Sequence, residues 1–400
     1  MTQAAQERAG YRDVFAVREF RALWLAQITS VAGDQLARVA LTVLVFDRTH
    51  SALLAAVTYA ASILPIFFGG LLLSGLADRL PRRSVMIICE LCQTVLVLFM
   101  LIPRTPVAAL VVLLSLVTLA DAVFRSARTA IFPDILTGEV FALGQALALT
   151  TYQLAQVIGF AVGGIVVGFL GTRVSLLVDA ITFVVAAALV RFGVRHRPAA
   201  SQAGPRPAPL ADAWAGIRLV FGSSALRVPM LLGWLAAFYN APEGVATPLA
   251  GALHGGPVAV GLILAAMALG ATIGNITITR LVPPARRRQV TGPLAVACCG
   301  VLALFAVHPL LPAALLILVA SGLFAGYQGL ASAAFVTATP AAQRSQAFGL
   351  AQAGMYLGQG AAMILAGAAA DRYGAIGVTA TVGAIGAAAA LAVTLTARVS

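Results

Sequence analysis

A chain of 400 residues that is 60% hydrophobic and only 10% charged, with a mean hydropathy of +0.96, is not a water-soluble domain, because such domains carry roughly a quarter of their residues as Asp, Glu, Lys or Arg. The formal charge of +12 comes from 26 basic residues, every one an arginine, against 14 acids. These arginines line the edges of apolar stretches with no nucleic-acid-binding motif around them, which excludes a nucleic-acid partner, and without lysine there is no Walker A motif and no ATP-driven engine in this chain.

The polar start, with Glu7, Arg8, Arg12, Asp13, Arg18, Glu19 and Arg21, reads as a tail before a retained first span and not as a cleaved signal peptide. A helix needs about 20 apolar residues to cross the hydrocarbon core, and twelve such stretches are predicted, at roughly 22–46, 52–75, 84–102, 107–127, 142–170, 174–194, 226–249, 257–279, 291–308, 312–335, 343–369 and 375–397. Their continuous Ala, Leu, Val and Gly runs lack the period-two alternation of a β-barrel. Arginines concentrate in alternate gaps: the N-terminal tail, 79–83, 125–128, 191–227, 280–288, Arg344 and Arg398. The intervening gaps hold only Arg48, Arg104, Arg173 and Arg372, and Arg38 lies within the first span. Cytoplasmic loops keep positive charge, so both termini are expected in the cytoplasm.

One stretch, Arg195 to Asp212, is rich in Pro, Ala and Arg and reads as an extended connector. It divides the chain into an N-terminal six-helix bundle (1–194), a cytoplasmic linker (195–222) and a C-terminal six-helix bundle (223–400). Weak self-similarity supports the division. A shift of 203 residues matches Gln156 with Gln359, Gly164 with Gly367 and Gly171 with Gly374, and a shift of 201 pairs Gly69 and Arg79 with Gly270 and Arg280. Two related halves are the expected architecture of a secondary transporter.

Between the second and third spans stands Ser74-Gly75-Leu76-Ala77-Asp78-Arg79-Leu80-Pro81-Arg82-Arg83. This segment resembles the signature loop of the major facilitator superfamily, G-x-L-A-D-R-x-G-R-K, with both of its glycines replaced, by Ser74 and Pro81. A carboxylate there can accept bonds from a helix N-terminus, and arginines can tie helix ends together. Asp78, Arg79, Arg82 and Arg83 are therefore read as a gating loop. In the fifth span Gly159-Phe160-Ala161-Val162-Gly163-Gly164 is similar to the G-P-x-x-G-G stretch of antiporters in that superfamily, with Phe160 in place of proline. Gly159, Gly163 and Gly164 would let helices approach closely and slide. From about residue 20 to residue 190 the chain, including GDQLARVALTVLVFDRTHSAL, resembles the bacterial multidrug, macrolide and siderophore exporter branch.

Ionisable residues at hydrocarbon depth are costly and face cavities or partners. Asp34 lies near the midplane with Arg38 one turn away on the same face, either as a permanent structural ion pair or as a pair that opens during a transport cycle. Glu243, in Asn240-Ala241-Pro242-Glu243-Gly244, has no basic residue in its own helix, and Pro242 and Gly244 can break that helix as at transporter binding sites. Glu243 is the first choice for a proton-coupling carboxylate, and Asp34 with Arg38 the second. Asp121, Arg125 and Arg128 share one face of a charged fourth span, where snorkelling of the arginines to the cytoplasmic edge is the simpler explanation. Glu90 and Asp179 fall nearer the predicted membrane surfaces and are weaker candidates. Phe124, Phe238, Tyr239, Asn240, Tyr327 and Gln328 are candidates to line a substrate cavity.

Cys89 and Cys92 form a C-x-x-C within a span without a second pair, and the four histidines are scattered through separate loops, so no metal site is expected. The resulting expectation is a monomeric, all-α secondary transporter in the bacterial cytoplasmic membrane, without a cofactor. It would export a lipophilic or amphipathic small molecule by alternating access, with the proton gradient as its energy source. The alternatives are an importer or facilitator on the same fold, a non-transporting scaffold or receptor, and, without a catalytic constellation to support it, a membrane enzyme.

Overall fold

The computed structural model describes residues 10–69, 80–198, 216–340 and 343–399. Every regular element among them is helical, as a chain in hydrocarbon requires, because only a helix satisfies all of its own backbone groups within one segment.

A short helix, Tyr11–Ala16, precedes the first span, Arg18–Thr49. The second span runs Ala52–Ala60 and, after a break, Leu64–Phe68, where the described part ends. The third is Arg82–Met100 and the fourth Val107–Ile135. Fifth and sixth form one helical stretch, Gly138–Gly193, folded back on itself at Gly171. The seventh is broken into Ser224–Trp234, Ala236–Tyr239, Ala241–Gly244 and Ala246–Ala252. The eighth is Pro257–Leu281, and the ninth Arg287–Gly300 continues as a 3₁₀ turn over Val301–Val307. The tenth is Leu311–Ala325 with Tyr327–Ala338, the eleventh Arg344–Tyr373 and the twelfth Ala375–Val399. These twelve spans form the two pseudo-symmetric six-helix bundles of the major facilitator fold. Large apolar side chains such as Phe169, Phe192, Leu310 and Leu316 remain exposed on the outer faces, where lipid would cover them.

Local chemistry explains the breaks. Pro65 lacks the N–H that would close a bond onto Ala61, and Pro242 lacks the one that would reach Phe238, so each helix opens one turn before its proline. Gly171 (φ 82°) and Gly374 (φ 78°) turn the chain between the fifth and sixth and between the eleventh and twelfth spans. Both take a positive φ that a side chain would resist, and they are the pair matched by the 203-residue shift. The connector after the sixth span is anchored at its start: Arg197 donates to Glu19 at 2.6 and 3.2 Å and the Arg195 N–H donates to it at 3.3 Å. That hydrogen bond and charge raise the Arg197 pKa above its ordinary value.

Small residues let the two bundles meet. A Cβ on Gly164 of the fifth span would come within 2.8 Å of the Gly261 Cα and 2.9 Å of the Pro257 carbonyl of the eighth. A Cβ on Gly367 of the eleventh span would strike Ala52, Leu53 and Ala56 of the second. The two glycines related by the shift thus perform the same task on opposite sides of the seam. Both contacts lie at the end of the molecule bearing Arg48, Arg104, Arg173 and Arg372, the arginine-poor end. Because the obstacle to a Gly164 side chain is backbone, Gly164→Val should push the fifth and eighth spans apart. Spin-label distances across the arginine-poor end should lengthen in the purified variant, and an unchanged distance distribution would contradict this packing.

Candidate functional site

The segmented seventh span brings Glu243 to the seam between the bundles. Its carboxylate accepts a hydrogen bond of 3.0 Å from the Tyr59 hydroxyl of the second span. A second acid crosses the seam nearby. Asp371, at the end of the eleventh span, accepts from the Ala52 N–H at 2.5 Å, the Ser51 hydroxyl at 3.0 Å and the Leu53 N–H at 3.2 Å. It therefore sits on the N-terminus of the second span, where unpaired N–H groups and the helix dipole favour negative charge. Glu243 and Asp371 are the two acids in the whole of 223–400, and each reaches across to the second span. At mid-depth Thr272 of the eighth span lies 3.4 Å from the Gln153 side chain of the fifth.

The N-terminal bundle holds a different cluster. Asp34, Arg38, Asp121 and Asp179 border a cavity of about 10 Å³ closed by Leu41, Val97 and other apolar residues. Asp121 pairs with Arg125 at 2.7 Å, and Arg125 also donates to the Tyr152 hydroxyl at 2.9 Å and lies over its ring at 4.9 Å. Arg125 is thus drawn inward by two partners and does not snorkel, contrary to expectation; Arg128 is half-buried and its Nε has no partner among the described residues. Arg38 forms none of the ion pairs among the described residues, so the permanent Asp34–Arg38 pair is absent. The guanidinium instead acts electrostatically on Asp34, Asp179, Tyr59 and Glu243 together. Asp34 faces the interior of its own bundle.

The gating loop is described in part, since Asp78 and Arg79 lie outside the described residues. Arg82 donates to the Ala130 carbonyl at 2.6 Å and to Asp134 at 2.7 Å, while Arg83 donates to the Arg191 carbonyl. Both arginines bind the third span to the fourth and sixth, within one bundle. Of the antiporter-like glycines, Gly159 and Gly163 seat the fifth span against Gln35 and Leu36 of the first, and Gly164 faces the eighth.

Several cavity candidates prove to be packing residues. Phe124 is buried in the N-terminal bundle among Val123, Ala127 and Phe132. Phe238 packs against Gly386 of the twelfth span. Tyr327 is fully buried and donates to the Leu232 carbonyl at 2.9 Å, and the Gln328 amide donates to the Gly233 carbonyl at 2.9 Å and the Tyr239 hydroxyl at 3.0 Å. Tyr327 and Gln328 thus satisfy carbonyls of the seventh span just before its interruption at Leu235. Asn240 is half-buried at one of the interruptions. A separate cavity of about 810 Å³ lies within the C-terminal bundle, bordered by Ser224, Pro229, Arg287, Arg288, Leu330 and Thr394. Tyr59, Tyr152 and Asp371 were not singled out by sequence. The signal for Asp371 was its Ala-Asp-Arg setting, which repeats that of Asp78.

Comparison with known proteins places this geometry. A family model described as a transmembrane secretion effector matches residues 13–400. Enterobactin exporters are similar: that of Shigella boydii serotype 4 (strain Sb227) is 28% identical over 276 residues, covering 67% of this chain and 64% of the exporter. That of Escherichia coli O139:H28 (strain E24377A / ETEC) is 29% identical over 280 residues with the same coverage. The match thus spans just under two thirds of the length of these relatives. Among solved structures, a POT family transporter in complex with 5-aminolevulinic acid superposes with a TM-score of 0.73 at 11% identity, covering 96% of both chains. The nucleoside transporter NupG gives 0.69 at 19% identity, covering 94% of this chain and 99% of that one. Likeness at that level is one of fold.

Losing a helix cap costs about 1 kcal/mol, so Asp371→Ala should lower the closed-to-open ratio at the arginine-poor end about fivefold. The same spin-label distances would show it, and an unaltered closed population would remove Asp371 from the seam.

Proposed function

The chain belongs to the transmembrane secretion effector family of the major facilitator superfamily, a multi-pass membrane transporter, and we propose that it is a proton-driven exporter of an amphipathic small molecule of the siderophore or drug class. The arginine-rich end faces the cytoplasm of a bacterial cell, and transport proceeds by alternating access around the seam, with no cofactor and no ATP. The observation that carries this reading is the Tyr59–Glu243 bond, a side-chain hydrogen bond by which an acid of one bundle holds the other. The similarity to enterobactin exporters supports the direction and the substrate class.

Chemistry links this bond to a proton. A hydrogen bond to a charged group contributes about 1.5–3 kcal/mol, one between neutral groups about 0.5–1.5 kcal/mol. An ionised Glu243 therefore holds Tyr59 more firmly than a neutral one, and protonation weakens the seam by about 1 kcal/mol, a shift of about fivefold between conformations. Opening at the arginine-poor end also requires Asp371 to leave the second span, so the two acids act on one element. A proton taken up from outside favours opening at that side, and its release inside restores the closed seam. Acidifying the outside should accelerate efflux.

In vesicles with an imposed pH gradient, Glu243→Gln should lose gradient-driven efflux while retaining exchange of substrate without a gradient. Tyr59→Phe should keep coupling but shift its pH profile. Undiminished gradient-driven efflux in Glu243→Gln would rule out Glu243 as the coupling group, and wild-type transport indifferent to the gradient would establish a facilitator instead.

A further inference from the structure

Two acids deep in the N-terminal bundle have no geometrically well-formed side-chain hydrogen bond among the described residues, the Thr182 hydroxyl beside Asp179 being directed to its backbone carbonyl. Glu90 of the third span and Asp179 of the sixth are both 0% exposed, and none of their four carboxyl oxygens has a hydrogen-bond partner among the described residues. Donors nearby are engaged elsewhere. The Thr182 hydroxyl donates to the Asp179 backbone carbonyl at 2.7 Å, and the Gln93 amide to the Val117 carbonyl at 3.4 Å. Sequence position placed both acids nearer the membrane surfaces; the structure adds that both are fully enclosed by their bundle.

The charged surroundings do not neutralise them. Glu90 lies within electrostatic reach of Asp34 from the first span, Asp121 from the fourth and Asp179 from the sixth, with Cys89 and Cys92 beside it on its own helix. Asp179 faces Asp34 and Arg38 of the first span. Arg125 is already bound to Asp121 and to Tyr152 of the fifth span. Arg38 makes no ion pair with either acid. An ionised carboxylate buried without a donor or counter-charge is destabilising by several kcal/mol, and a second one among like charges adds repulsion. A neutral acid avoids both penalties.

We propose that Glu90 and Asp179 form a proton-binding site inside the N-terminal bundle, each carried as a neutral acid in this conformation. The cavity of about 10 Å³ beside Asp179 has room for about one water, and it joins Asp179 to Asp34 and Asp121. A water held there would give Asp179 a route for proton exchange with Asp34 and Asp121. The occupant is a proton and not a metal ion: no group of three or more His, Cys, Asp or Glu among the described residues could hold a metal. The site lies in the bundle opposite Glu243 and needs neither the seam nor a substrate to fill. It therefore stands or falls separately from the export reading.

Infrared difference spectroscopy of the full chain in lipid vesicles tests it directly, by comparing acidic with alkaline buffer in water and deuterium oxide. The wild type should show carbonyl bands of neutral carboxylic acids that shift in deuterium oxide. One band should be lost in Glu90→Gln and another in Asp179→Asn, and both should persist in Glu243→Gln. Because each replacement is a neutral near-isostere, the melting temperature should stay close to wild type. A wild-type spectrum without neutral-acid bands would overturn the proposal even if the variants fail to fold. So would bands that survive in both variants, or a response to sodium at fixed pH in place of a response to protons.

Discussion

A polar group in hydrocarbon must find its partner within the protein, and in this molecule the partners of the C-terminal bundle's acids lie across the seam. Glu243 takes the Tyr59 hydroxyl and Asp371 takes the N-terminus of the same second span. Neither arrangement can survive a separation of the bundles at the arginine-poor end, because no other donor to either acid is present among the described residues. Glu243 is half-buried and Asp371 exposed, so each contributes on the scale of one hydrogen bond to a charged group, about 1.5–3 kcal/mol at most, comparable with the gap between two transporter states. The seam is therefore stable enough to close and weak enough to open. That balance depends on glycine: Gly164 against Gly261, and Gly367 against Ala52 and Leu53, allow backbones to touch without interlocking side chains.

The second span receives both acids, and its own chemistry suits that role. Its helix is interrupted at Ala61–Ile63, so Ser51–Ala60 forms a short unit between the Asp371 cap and the break. Tyr59 stands at the end of that unit. On the proposed mechanism a proton on Glu243 would act on a segment of two to three turns instead of a whole helix, with Asp371 as the hold at the other end. The seventh span is segmented in the same way around Pro242, and Tyr327 and Gln328 donate to its Leu232 and Gly233 carbonyls ahead of the break at Leu235. Two interrupted helices facing one another form a joint, whereas the unbroken third and fourth spans are tied at the arginine-rich end by Arg82.

Much of this was legible in sequence, for physical reasons. Spans are written in runs of apolar residues whose length the bilayer dictates, and within the described residues, which stop at 69 in the second span, each predicted span lies where a helix is observed, with ends lengthened into the polar regions, as at Arg18 and Ile135. The break around Pro242 follows from one missing N–H, and the turn glycines from a steric rule, so both could be read locally. Depth and pairing could not. That Glu90 and Asp179 are fully enclosed could not be read from their position along a span, because burial depends on which helix face meets a neighbour. Arg125 was assigned to the membrane edge because its partner Tyr152 lies on another helix. Tyr59 and Asp371 acquire meaning only from the opposite bundle, some 184 and 320 residues away in sequence.

The distribution of acids between the bundles gives the two halves unlike tasks despite their shared fold. Asp34, Glu90, Asp121 and Asp179 occupy the N-terminal interior with Arg38 and Arg125 among them, so that bundle's packing depends on how many of these groups carry charge. The C-terminal bundle keeps its core apolar and presents its acids at the seam. Arg38 connects the two sets, since its guanidinium acts on Asp34 and Asp179 on one side and on Glu243 and Tyr59 on the other. An arginine cannot release its proton at any accessible pH, so it cannot carry the coupling ion. What it can do is supply a fixed positive charge within electrostatic reach of both sets, which favours the ionised form of an acid on either side.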